Sequence, residues 1–113
     1  MAILDLSDTI KDVHAKDSKI TRRNAAINGL LDPKPYSDEL NRAWNFRTVG
    51  WSHGPDYWTE FVLNLRMIGY DDVLSIEHED SLMSACEGLH KSVKFLNSIL
   101  LKEPAGPMTW ANT

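Results

Sequence analysis

The sequence predicts an α/β fold with parallel strands. Three observations carry this: short β-favouring runs at residues 10–15, 46–49 and 73–76, helical patterns after the second and third runs, and polar residues gathered at the end of each run. Helices between successive strands act as crossover connections, and crossovers call for parallel pairing. In such sheets ligands bind at the C-terminal ends of the strands, whether the sheet is open or closed into a barrel.

The first run, IKDVHA, offers Ile10, Val13 and Ala15 for burial and sets His14 near its C-terminal end. Residues 16–44 sustain no period. Asn28-Gly29 and the Asp32-Pro33-Lys34-Pro35 cluster are turn and breaker signals, so this stretch reads as a long loop, functional or disordered. FRTV, the second run, is closed by Gly50 and WSHGPD. A helix follows, with Pro55 in its first turn, Asp56 and Glu60 complementing the positive end of its dipole, and Trp58, Phe61, Val62, Leu65 and Ile68 at helical spacing. Gly69 suits the position just past its end. After the GYDD turn, Val73-Leu74-Ser75-Ile76 makes the third strand, ending in Glu77-His78-Glu79-Asp80. The last helix spans residues 84–101 with Leu89, Val93, Leu96 and Leu100 as its apolar stripe. Ser84 and Glu87 form a capping box at its start. Cys86 falls in its first turn as a small buried residue, and Trp58 and Phe61 are expected in the core.

Composition narrows the function. A chain of 113 residues supports one domain, and 12 Lys plus Arg against 16 Asp plus Glu leave a net charge of −4. That balance disfavours a dedicated nucleic-acid or anionic-membrane surface, which needs clustered cations, and favours small substrates or protein partners. The single cysteine excludes an internal disulfide framework, and no apolar run approaches the roughly 20 residues of a bilayer span. MAILDLSDTIKD lacks a basic region followed by an apolar core, so a cytoplasmic location is expected. Ser-His-Asp, CxxC and phosphate-cradling glycine motifs are missing, which removes their reaction classes.

The strand ends carry the chemistry. They present His14 and Asp17, then Trp51 and His53, then Glu77, His78, Glu79 and Asp80. Strands about 4.8 Å apart would let an imidazole and a carboxylate on different strands share one ion. The same residues have structural readings: a hydrogen-bonded strand histidine and a solvated acidic loop capping the next helix. Lys16 and Arg47 suit a substrate phosphate or hydroxyl, and an arginine there is as often tied to a carboxylate. Trp51, in a strand-end loop, suits the wall of a ligand pocket or packing under the long loop.

HAKD near the start and GYDDVLSIEHED later, with a G-x-x-H and a Trp between them, together resemble the sugar phosphate isomerase/epimerase family. That family is similar in fold to xylose isomerase and endonuclease IV, and the likeness corresponds to the AP endonuclease family 2 C-terminal region. The resemblance implies a (β/α)8 barrel holding a divalent metal, Mn²⁺, Zn²⁺ or Mg²⁺, through Glu, Asp, His and Glu of different strands. Residues 1–101 would then be the C-terminal part of a barrel, a partial TIM barrel of roughly three βα units, and residues 102–113 an unplaced tail. His14 matches the metal-binding His, and Glu77 matches the last-strand Glu that binds metal and exchanges the proton. Asp17 is expected nearby, holding that His or orienting substrate, with Lys16, Arg47, Trp51 and His53 as further substrate contacts. His53 stands where many relatives have an apolar residue. A full barrel needs about 250 residues, so the other two carboxylates must come from elsewhere, and a homo-oligomer or a complementary chain is implied. Two rival functions remain: a non-catalytic piece that acts only by association, and an endonuclease IV-like phosphodiester hydrolase, which the net charge disfavours.

Overall fold

A computed structural model describes residues 12–110, together with Ile3 and Ile10. The opening segment read for a targeting signal lies, apart from these residues, outside the described ones. The elements run β1 (Val13–Ala15), β2 (Asp17–Ile20), α1 (Arg22–Asn28), β3 (Trp44–Arg47), α2 (Pro55–Met67), β4 (Leu74–Ile76) and α3 (Ala85–Ile99). The fold is mixed α/β, with β1 and β4 paired in parallel in the register Val13↔Leu74, His14↔Ser75 and Ala15↔Ile76. Glu77 N–H extends this ladder by donating to Ala15 C=O at 3.0 Å.

One expected strand behaves differently. The strand expected at 46–49 falls at Trp44–Arg47 and does not join the parallel sheet; it pairs antiparallel with β2, from Asp17↔Arg47 to Ile20↔Trp44, and among the described residues the parallel sheet has two strands instead of three. The physical reason lies in the side chains. A strand buried on both faces, as in parallel sheets, reads as continuously apolar, whereas WNFR alternates Trp44 and Phe46 with Asn45 and Arg47. It suits a ribbon with an apolar face and a polar face. The stretch expected as a period-free loop therefore holds β2, α1 and the turns leading into β3, an arm inserted between β1 and α2. Asn24 ties α1 to this arm through its side-chain amide, which donates to Leu40 C=O at 2.8 Å and Arg42 C=O at 3.0 Å.

The core lies between the parallel sheet and the two longer helices. Ala15, Val49, Trp58 and Leu96 are its buried centre, with Phe61, Leu74, Ile76, Phe95 and Ile99 packed around them. Trp58 and Phe61 thus take the expected core positions, with rings 5.1 Å apart and edge-to-face. Pro55 opens α2 in its first turn, and Gly69 follows its end at φ +80°, a conformation that costs glycine little. In α3, Ser84 Oγ accepts from Glu87 N–H at 3.2 Å, completing one half of the expected capping box.

The stripe expected on α3 is rotated. Leu96 is buried, but Leu89 and Val93 are exposed at 40% and 48%, and the buried face runs Gly88, Ser92, Leu96. Small residues face the sheet because the His78 ring fills the space beside Gly88: a Cβ there would lie 2.1 Å from His78 Cε1. Cys86, expected inside, is exposed on the same helix. Residues 102–110 are exposed and without regular structure, and residues 111–113 lie outside the described ones. Among the described residues no helix is long and apolar enough to cross a membrane.

Candidate functional site

Alternation along β1 and β4 sorts the strand ends into two faces. Ala15 faces the helices and is fully buried, whereas His14, Lys16, Ser75 and Glu77 belong to the opposite face. There His14 Nδ1 meets Glu77 Oε1 at 2.6 Å. An ionised carboxylate only accepts, so Nδ1 carries the proton of this bond. The two strands therefore bring the predicted imidazole and carboxylate into direct contact, with side chains 57% and 41% exposed.

Lys16 completes this cluster. Its ammonium lies 3.3 Å from Glu77 Oε2 and 2.7 Å from Glu79 Oε1, and 3.7 Å from the centre of the Phe46 ring. The bond from His14, then that from Lys16, hold the Glu77 carboxyl below the usual glutamate range, outweighing its partial desolvation. For Lys16, burial opposes the charge, but the bonds to Glu79 and Glu77 prevail and its pKa is raised. The cluster is thus a charged one, with Glu77 ionised near neutral pH.

Asp17 points the other way. It is buried at 2% exposure, and its two oxygens accept from Ser18 N–H, Gly50 N–H, His53 N–H, His53 Nδ1–H and Trp58 Nε1–H at 2.6–3.3 Å. A carboxylate so occupied anchors the loop between β3 and α2, which corrects the expectation that it orients substrate or holds His14. His53 is the residue Asp17 does hold, and its ring packs on Tyr57 with centroids 4.4 Å apart. Gly50, at φ +87°, allows the turn that carries its amide to Asp17.

Arg47 takes the structural alternative. Its guanidinium pairs with Glu39 at 3.3 Å and Asp80 at 3.4 Å, on the face of the ribbon away from Phe46. Asp80, almost fully buried, also accepts from Thr48 N–H, Thr48 Oγ–H and Leu82 N–H. Trp51 is 57% exposed, with the Lys91 ammonium 5.0 Å from its ring centre, so it packs beside α3 and not under the inserted arm. The aromatic ring that does reach the cluster is Phe46. Sequence reasoning missed it, because its place depends on the arm folding back.

Imidazole and carboxylate donors together suit Mn²⁺, Zn²⁺ or Mg²⁺. With the Nδ1 proton released, His14 Nδ1 and Glu77 Oε1, 2.6 Å apart, would both be free to donate to one ion. Among the described residues no three His, Cys, Asp or Glu side chains gather closely enough to hold an ion. His14 and Glu77 therefore fit as two donors of a set that needs others.

No protein-family model matches the chain. Over 100 residues, 88% of its length, the chain is 39% identical to a Bacillus subtilis (strain 168) protein described as "Uncharacterized protein YfiH". The match covers 32% of that protein, so the chain spans about a third of the length of the curated relative it matches.

Proposed function

We propose that this chain supplies the closing part of a metal-assisted sugar or sugar phosphate isomerase/epimerase site, built on the last strands of a (β/α)8 barrel. The contact between His14 and Glu77 across paired parallel strands carries the reading. When bound, a divalent ion polarises a carbonyl and its neighbouring hydroxyl, which makes the adjacent C–H acidic. Glu77 takes that proton and returns it at the neighbouring carbon for isomerisation, while epimerisation needs one of the remaining carboxylates to protonate the opposite face; the exchange suits a carboxylate kept ionised by His14 and Lys16. His14 orients Glu77 through Nδ1–H in the free site and, with that proton released, would give Nδ1 to the ion. The remaining carboxylates come from a second chain or from the further length that the longer relative has.

Two measurements test this. Mn²⁺ added to the chain is expected to broaden the His14 and Glu77 side-chain NMR signals before those of Asp17 or Asp80. In an assembly that carries the remaining carboxylates, Glu77→Gln is expected to abolish exchange of a sugar C–H hydrogen with solvent while leaving the fold intact, because Gln keeps the shape and cannot accept the proton. Full exchange by that variant would remove Glu77 from the chemistry.

A further inference from the structure

The cluster around Glu77 does not end at Lys16. Below the Lys16 ammonium lies the Phe46 ring, and from it an aromatic group continues along the inserted arm: Trp44 at 5.0 Å, edge-to-face with Phe46, and Tyr36 at 5.9 Å, stacked on it. Phe46 and Trp44 share one face of the ribbon with Ser18 and Ile20, their partners in the register. That face is open. Tyr36 is 63% exposed and Ile20 53% exposed. Arg42, only 2% exposed, backs the group, its guanidinium 4.4 Å from the Tyr36 ring centre and 4.8 Å from that of Trp44. Arg42 thus supports Tyr36 and Trp44, Lys16 lies over Phe46, and the exposed part of the group is led by Tyr36.

Small-ligand sites combine apolar and aromatic walls with a few placed polar groups, and a sugar ring has C–H faces that pack on aromatic rings and hydroxyls that need partners at its rim. Phe46 lies within one lysine ammonium of Glu77; Trp44 and Tyr36 lie one ring further out. A monosaccharide reacting at Glu77 reaches Phe46 alone, whereas a second sugar linked to it extends over the outer rings. Resting on the reading given above, we infer that Phe46, Trp44 and Tyr36 form a shelf for a second sugar unit, so that the substrate is a disaccharide or other glycoside with a free carbonyl end. The occupant follows from continuity with the Glu77 cluster, which an unrelated protein-docking surface would not require.

D-fructose and lactulose, a ketose alone and the same ketose carrying a second sugar, are the probes, with affinity read from aromatic NMR shifts of the full chain. Lactulose is expected to bind about tenfold more tightly than D-fructose, the increment of a stacked ring, and to move the Trp44 and Tyr36 signals. Tyr36→Ala and Trp44→Leu should each bring lactulose towards the affinity of D-fructose, with Mn²⁺ broadening at His14 unchanged. Should Trp44→Leu fail to fold, the exposed Tyr36→Ala decides alone. Equal affinities in the parent chain, or no lactulose binding, overturn the shelf. So does a change of oligomeric mass in these variants with sugar affinity kept, which would make the face a contact between chains. Lactulose preference without Mn²⁺ broadening at His14 would instead retain the shelf and remove the metal reading.

Discussion

Three acidic side chains near the strand ends have different fates, and burial with donor supply separates them. Glu77 is partly exposed, and its partners His14 and Lys16 are side chains and not loop amides, so its charge remains available to a ligand. Asp17 and Asp80 are buried, and each gathers backbone amides from a loop that would otherwise leave those donors unsatisfied. For Asp80, burial raises the cost of its charge, but the bonds from Leu82, Thr48 and Arg47 outweigh it and its pKa is lowered. A lowered folded-state pKa means the stabilisation is complete above the unfolded value of about 3.9 and is lost as pH falls from there through the folded value. Asp80→Asn places an amide NH₂ against amide donors and is expected to cost about 1–3 kcal/mol in urea unfolding at neutral pH. The gap between variant and parent should narrow below about pH 4, where the parent loses this contribution. An unchanged gap there would mean that Asp80 is not the group being protonated.

At the level of elements, the parts legible in the sequence are those whose signal is local. The first and last strands, both long helices, the Pro55 start and the Ser84 cap each announce themselves within a few residues. The pairing of β2 with β3 has no such signal: DSKI is polar, its partner WNFR lies beyond α1 and several turns, and no two-residue hairpin loop joins them. For the same reason His14 and Glu77 were readable as strand-end residues, and Phe46 beside Lys16 was not. The rotation of α3 is likewise a packing outcome, since Gly88 sits where the His78 ring lies with its Nε2–H donating to Met83 C=O at 2.9 Å. On an open helix Gly→Ala gains about 1 kcal/mol. Here Gly88→Ala is expected to lose about 1–3 kcal/mol, because the new methyl overlaps a held ring and the helix must shift. Urea unfolding of the single variant and of Gly88→Ala with His78→Ala checks it: the second change should recover most of the loss. A stabilised single variant would show that the ring yields freely.

At the scale of the molecule, the decisive feature is that the described residues form a parallel sheet of two strands. Within the described residues β1 pairs with β4 alone, so the outer edge of each strand has backbone donors and acceptors without a strand partner. Exposed edges template pairing with further strands, and barrels remove them by closure. The face carrying His14 and Glu77 has no layer over it among the described residues, unlike the face that Trp58 and Leu96 cover. Both features point to association with a second copy or with strands of another chain, and the same association would bring the carboxylates that the candidate site needs. Light scattering of the 113-residue chain is therefore expected to show a mass that rises with concentration, or a stable complex with a chain that carries earlier barrel strands. A proline in place of Ser75 would remove a backbone donor that lies on the same edge of β4 as Glu77 N–H, the edge facing β1, so it is expected to weaken the β1–β4 pairing itself. Circular dichroism checks this through a weakened sheet signal in the variant. A cooperative monomer at every concentration, with sugar turnover of its own, would contradict the proposal, since the remaining carboxylates would then have to lie within these residues.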